Sequence, residues 1–235
     1  LGDDVNGDGS RSNPFRTIAA AFAQAAIDFP QGGAQVLLET GVYEEDVLLP
    51  EKSVLRGVID ADALIVGRIA GAEGSTLQYL TVSPAVEGAV LLDMADVSME
   101  VLHMTFQGGA SRTSTGIQVT GAAVAHATID GCYFMSLDIG IEIFDGIPTI
   151  RKNIFDDIVT AGILIRSSAD AESNNIGDIE DPATGWNTFL ETIEGKAVLN
   201  ELDAELSMQL NDWDTNDETV AQQFIEGPAL FEPFL

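Results

Sequence analysis

The chain has 235 residues, 46% of them hydrophobic in type, and sets ten Lys/Arg against 38 Asp/Glu for a formal charge of −28. That balance excludes nucleic acid and anionic membrane surfaces as partners, because phosphate binding needs clustered Lys and Arg. It leaves a polyanionic polysaccharide accessible only through bridging divalent cations. No apolar stretch reaches the roughly 18 residues of a membrane span, so no membrane insertion is expected. No signal peptide stands at the start and the first residue is Leu1, so a processed protein or an excised domain is expected. The lone Cys132 excludes an intrachain disulfide and leaves the compartment open.

In chain order, residues 1–14 are turn chemistry throughout: Gly, Asp, Asn, Ser and Pro. Within them Asp4, Asn6 and Asp8 alternate along a glycine turn, a spacing of oxygen ligands that suits Ca²⁺. Phe15 occupies the place of the closing glutamate of an EF-hand, so hydrogen-bonded Asx turns are the competing reading. Asn13 and Pro14 predict a helix start. Phe15, Ile18, Phe22, Ala25, Ala26 and Phe29 then fall on one face, forming an amphipathic lid for an open stack of coils.

From residue 34 to about 200, short β-type runs alternate with Gly/Asp/Ser turns. One pattern returns four times, as LQYLTV at 77–82, VLHMTF at 101–106, IDGCYF at 129–134 and IRKNIF at 150–155. Each is followed by a glycine and alternating apolar positions, at 88–91, 116–119, 140–143 and 162–165. Periods of this size mean stacked coils. Between Phe106 and Gly116 the link lengthens to a loop, 107–115, and insertions at one place in a regular repeat map to one face. Cys132 shares its slot with Leu80, Met104 and Asn153 and reads as a buried thiol. From Ser168 on, sixteen Asp/Glu face Lys196 alone, yet Trp186, Phe189 and Trp213 argue against a disordered tail. Asp217 to Ile225 predicts a short helix capped by Asn216 or Asp217, and the apolar end 229–235 is expected to pack on the final coil.

The expected fold is all-β: a right-handed parallel β-helix, or solenoid, with an N-terminal amphipathic capping helix and a short C-terminal helix. One domain spans 1–235, with an opening loop and capping helix at 1–33, coils at 34–200 and a C-terminal cap at 201–235. The residues GDDVNGDGSRSNPFRTIAAAFAQA at 2–25, the apolar-x-x-Asn-x-Phe and Gly-Ile-x-Ile coil pattern, and the Trp–turn–helix–Phe-x-Pro close at 213–235 resemble the pectate-lyase-like superfamily of secreted β-helix repeat proteins. Asn153 fits the asparagine slot and Leu80, Met104 and Cys132 depart from it, so a short asparagine ladder is expected. The resemblance implies a secreted or cell-surface location. It is specific for fold and poor for function, since that superfamily holds lyases, hydrolases, epimerases, adhesins and noncatalytic domains.

Equivalent residues of successive coils should stack. One slot holds Gln78, Leu102, Asp130 and Arg151; the next holds Tyr79, His103, Gly131 and Lys152. If both face outward, Asp130, Arg151 and Lys152 form one exposed cluster, with His103 across the gap at Gly131 and Tyr133 on the coil of Asp130. In lyases of this fold an Arg or Lys abstracts the proton beside a uronate carboxylate, which makes Arg151 and Lys152 candidates, with His103 and Asp130 beside them. A surface ion pair Asp130–Arg151 is the plainer reading. Asp156-Asp157 is an adjacent carboxylate pair of the kind glycoside hydrolysis uses, but the hydrolases' Asn-Thr-Asp and Gly-His-Gly motifs are missing and a solvated turn is expected there. His103 and His126 have no metal-ligand spacing. Two functions follow. The first is a noncatalytic secreted domain for carbohydrate binding, adhesion or cell-surface scaffolding, contacting a polysaccharide or cell-surface component through Tyr79, Tyr133 and Arg112 of the long loop. The alternative is a lyase or epimerase acting on a uronate polymer. Ca²⁺ is the one cofactor either reading suggests.

Overall fold

In the computed structural model, which describes residues 2–59, 62–166, 176–177, 184–190, 193–215 and 217–230, the chain is a parallel β-solenoid of about eight turns. One sheet stacks Gln35–Leu38, Val54–Gly57, Thr76–Gln78, Glu100–Leu102, Thr128–Asp130 and Thr149–Arg151, every pair parallel and in register. The second sheet wraps the other two faces. Gly41–Tyr43, Ala63–Val66, Thr81–Ser83 and Thr105–Gln107 lie on one, and Val47–Leu48, Ile69–Ala70, Val90–Ala95 and Thr115–Thr120 on the other. The long strands Tyr133–Ile143 and Ile154–Ile165 join the two faces, and their register shifts between Leu137 and Ile139. Parallel pairing continues past residue 200, through Lys196–Asn200 with Ile225–Glu226 and Leu206–Ser207 with Ala229–Leu230.

Register makes the core a set of columns. Val36, Leu55, Leu77, Val101, Ile129 and Ile150 stack in one, and all are buried. Phe106, Phe134, Phe155, Phe189 and Trp213 form another, with ring centroids 5.0, 4.9, 4.9 and 4.9 Å apart. That step is the spacing of hydrogen-bonded strands, so each ring rides on its own coil and offset faces meet. Glycine lies beside the rings for a steric reason. A Cβ on Gly140 would sit 2.5 Å from the Gly162 carbonyl oxygen and 2.8 Å from the Phe155 ring. Gly88 is not part of this glycine column: Ile117 pairs with Leu92, which puts Leu91 opposite Gly116. The coil that carries Val82 in place of phenylalanine carries Leu91 in place of glycine, a swap that conserves volume.

A second column turns the corner between the first sheet and the Thr81 face. Asn153, Asn187 and Asn211 are buried there, and the side-chain oxygen of Asn187 accepts from the Asn153 backbone N–H at 3.1 Å and side-chain amide at 3.0 Å. The Asn211 oxygen accepts from Asn187 in the same way, at 3.0 Å each. Each of the first two amides also donates to a carbonyl of the preceding coil, Asn153 to Ile129 and Asn187 to Ile150. The ladder expected at Asn153 therefore runs through three coils. Cys132 closes it: its N–H donates to the Asn153 side-chain oxygen and its thiol points at the Val101 carbonyl. Burial pushes that thiol up to about 12.

The capping helix is Ile18–Asp28, later than Asn13 and Pro14 predict. Thr17 is its N-cap, accepting from the Ala20 N–H. Asn13 is occupied elsewhere, bonding to the Asn6 carbonyl. The Glu45 carboxylate of the first coil accepts from the Ile18 and Ala19 N–H groups at 2.8 and 3.0 Å, where a helix N-terminus favours negative charge. Only Ile18 and Phe22 of the predicted face are buried, and Phe29 is exposed. The C-terminal helix is Glu218–Gln223, capped by Asp217, whose side chain accepts from the Thr219 N–H. Asn216 and residues 231–235 lie outside the described residues.

Candidate functional site

The two slots read from the repeat do align. Gln78, Leu102, Asp130 and Arg151 are register partners. The next residue in each coil occupies the corner, and there the backbone is left-handed: Tyr79 at φ 57°, His103 at 51°, Gly131 at 66°, Lys152 at 56° and Trp186 at 62°. This is a costly conformation for residues with a Cβ, and it repeats because every coil makes the same sharp turn before its buried corner residue. The Thr81, Thr105, Tyr133, Ile154 and Thr188 pairings that follow fix the column. Leu64 pairs with Thr81, so Asp62 stands two residues before that pair, as Tyr79 does. An outward ridge along the solenoid axis thus reads Tyr79, His103, Gly131, Lys152, Trp186, one residue per coil at about 4.8 Å per step. In the coil before, Gly57 continues the first-sheet register and Asp62 follows five residues later, on the approach to the next strand.

Tyr79 and His103 stack with centroids 5.2 Å apart and planes at 12°. Gly131 is required beside them, because a Cβ there would meet His103 Nδ1 at 2.5 Å. His103 therefore leans into the notch that the missing side chain leaves. Trp186 is 43% exposed, unlike the buried Trp213. Beside the stack lies a shallow recess of about 280 Å³. Ile59, Asp62, Tyr79, Thr81, His103 and Thr105 line it. Two aromatic residues, two threonines and an aspartate thus line one opening together with apolar neighbours.

Of the remaining sequence candidates, Arg151 with Asp130, Tyr133 and Arg112 are held in separate bonds. Arg151 Nε donates to Asp130 Oδ2 at 2.9 Å, making the ion pair of the plainer reading, with the Asp130 side chain only 14% exposed. Lys152 points out from the ridge two coils beyond His103, roughly 10 Å along the axis. The Tyr133 hydroxyl donates to Asp156, which with burial pushes the phenol up to about 12. Arg112 spans from the long loop to Asp157 at 2.6 Å and Glu194 at 2.7 Å, and Ser136 also donates to Asp157 at 2.8 Å. Asp156 and Asp157 are therefore not a solvated turn: they lie within the strand Ile154–Ile165 and organise their neighbours. His126 ends the short 3₁₀ helix Ala122–His126 and is exposed.

In the opening loop each carboxylate accepts from nearby backbone. Asp4 accepts from the Arg16 and Thr17 N–H groups at 2.7 and 2.9 Å, Asp8 from Ser10 at 2.9 Å, and Asp3 from Val5 and Asn6. The Asn6 side chain donates to Asp3. These hydrogen bonds hold Asp3, Asp4 and Asp8 below the usual carboxylate range, chiefly through Asn6, Thr17 and Ser10 respectively. The bonds of Asp3 and Asp8 to the N–H two residues on are those of Asx turns, whereas Asp4 ties the loop to the start of the capping helix. Among the described residues no group of three or more His, Cys, Asp or Glu converges as a metal site, and no helix is long and apolar enough to cross a membrane.

Sequence reasoning found Tyr79, His103, Gly131 and Lys152 but missed Asp62 and Trp186. Trp186 carried a signal: Asn187-x-Phe189 repeats the Asn153-x-Phe155 spacing, and the residue before the asparagine is the ridge position.

A family model described as "Protein of unknown function (DUF1565)" matches residues 1–214, and the chain belongs to that family. No curated protein and no solved structure matches it.

Proposed function

We propose that this is a noncatalytic, extracellular or cell-surface β-solenoid that binds carbohydrate along the ridge from Tyr79 to Trp186 and in the recess at Asp62 beside it. The observation that carries the reading is the Tyr79–His103 stack set beside a recess lined by two threonines and an aspartate. Sugar rings present apolar faces and hydroxyl edges, and a site for them pairs aromatic surface with a few fixed polar groups. A rigid solenoid presents such a row at a constant pitch without paying to order it on binding. Catalysis is less well supported. The guanidinium of Arg151 is engaged by Asp130, and His103 and Lys152 stand too far apart to act on one proton. Ca²⁺ bound near the opening loop remains part of the proposal as a stabilising ion rather than a reactant.

The test is a thermal-shift screen of the whole protein against neutral, amino and uronate oligosaccharides, with and without Ca²⁺, read beside tryptophan fluorescence. A ligand that raises Tm and changes Trp186 emission, with both effects lost in Tyr79→Ala and no unsaturated product in the ultraviolet, supports the reading. Unsaturated product from a uronate polymer overturns it in favour of β-elimination.

A further inference from the structure

We infer that the recess at Asp62, beside the Tyr79 end of the ridge, is a subsite for an organic ammonium group, so that the bound carbohydrate is an amine-bearing sugar rather than a uronate. The inference rests on the carbohydrate reading of the same ridge and adds its charge preference. Three observations lead to it. The recess has Tyr79 and the His103 ring on one wall and Asp62 as its carboxylate. Asp62 lies on the coil next to that of Tyr79, two residues before Leu64, whose register partner is Thr81, and both residues line the same recess. Asp62 is exposed, and among the described residues it has no salt-bridge partner, whereas Asp130, Asp157 and Glu142 each hold an arginine.

A carboxylate beside an aromatic surface recognises an ammonium twice, through a charge-assisted hydrogen bond and through the ring quadrupole. The chain's charge of −28 adds a field that draws cations toward the opening and repels uronates. The nearest positive group in the outward slots is Arg56, which shares a coil with Asp62, is in register with Gln78 and does not line the recess. Lys152 stands two coils past His103, and Arg151 is bonded to Asp130. The two threonine hydroxyls, Thr81 and Thr105, then face the ring hydroxyls of the same sugar.

The experiment is calorimetric titration of the whole protein with three probes at moderate salt: a glucosamine tetramer, its fully N-acetylated counterpart, and n-butylammonium. The variants are Asp62→Asn and, as a control for the general field, Glu87→Gln on an exposed loop. The expected result is that the free-amine tetramer binds at least about tenfold tighter than the acetylated one. Asp62→Asn removes that preference and Glu87→Gln keeps it. Equal binding of the two tetramers, or a preference that survives Asp62→Asn, overturns the ammonium subsite and leaves the carbohydrate reading standing. Binding of n-butylammonium but of neither sugar keeps the ammonium subsite and sinks the carbohydrate reading. Silence with all three probes overturns both.

Discussion

In the early coils the inner corner of the solenoid holds Leu80, Met104 and Cys132; in the last three it holds Asn153, Asn187 and Asn211, and all six are buried. The backbone beside them is the same in both halves, left-handed at Tyr79 and His103 as at Lys152 and Trp186. The turn is therefore not made by the asparagines. What they add is satisfaction of buried polar groups: the Asn187 and Asn211 oxygens each take a backbone N–H and a side-chain N–H from the preceding asparagine, and the Asn153 oxygen takes the Cys132 N–H. Cys132 stands at the border and does both jobs weakly. Its thiol is directed at the Val101 carbonyl, as the Asn153 amide is at Ile129, and the Met104 N–H points at its sulfur. One corner thus shows that an apolar and a hydrogen-bonded filling serve the same backbone, but only the second makes neighbouring coils depend on each other's side chains.

The sharpest way to break the comparison is to put a hydrocarbon into the amide half. Asn187→Leu strands the Asn153 N–H and side-chain amide and the Ile150 carbonyl, and should cost about 4 kcal/mol in denaturant unfolding, since each orphaned buried group costs about 1–3 kcal/mol. Met104→Leu, the matching change in the apolar half, should cost under about 1.5 kcal/mol. Equal losses at the two sites would mean that the ladder adds nothing specific. A smaller effect is expected one column over, where Gly140→Ala forces a methyl against the Gly162 carbonyl and the Phe155 ring, a strain of about 2–3 kcal/mol readable as a lower unfolding midpoint. The smallest effect is a gain. Cys132→Asn extends the ladder by one coil, offering an amide to Val101 and an oxygen to Met104, and should stabilise by about 1 kcal/mol. A loss there would show that the border position is shaped for sulfur.

The titration of Tyr133 sharpens the outer side of the same coils. Its phenol is raised from 10.0 to about 12 by the hydrogen bond to Asp156 and by burial. A group whose folded pKa is raised contributes stability that is whole below the unfolded value and lost as pH climbs through the folded one. Stability should therefore fall between about pH 10 and 12 in the native chain, and Tyr133→Phe should flatten that part of the curve.

Much of this fold was legible because register turns sequence period into spatial columns. The interior column Leu77, Val101, Ile129 and Ile150 and the outward slots at Asp130 and Lys152 followed from aligning four short runs. The alignment failed where spacing changed. The step from Asn153 to Asn187 is 34 residues and that from Asn187 to Asn211 is 24, so a search for steady periods ended at Ile165 and left Phe189, Trp213 and the ridge residue Trp186 unassigned. At the other end, Gly88 imitated the glycine of the coil motif while Leu91 took its place, because glycine is needed only where a stacked aromatic ring crowds it. The helix start was misplaced for a tertiary reason: Glu45, far along the chain, supplies the negative charge at the first turn. Of the candidate site, the ring stack and the notch at Gly131 were implicit in the slots. Asp62 was hidden because it stands five residues past Gly57, where the first-sheet register ends in its coil, and the ion pairs of Arg112 join coils that no local pattern relates.

The central claim is that ligand meets this solenoid on the ridge from Tyr79 to Trp186 and in the recess at Asp62 beside it. It is tested most directly by titrating the isotope-labelled whole protein with a glucosamine tetramer and mapping amide and indole shifts in NMR spectra. The account predicts perturbations at Asp62, Tyr79, His103 and Gly131, reaching the Trp186 indole with longer oligomers. Shifts confined to another face, such as that of Asp93, Gln118 and Glu142, would contradict it.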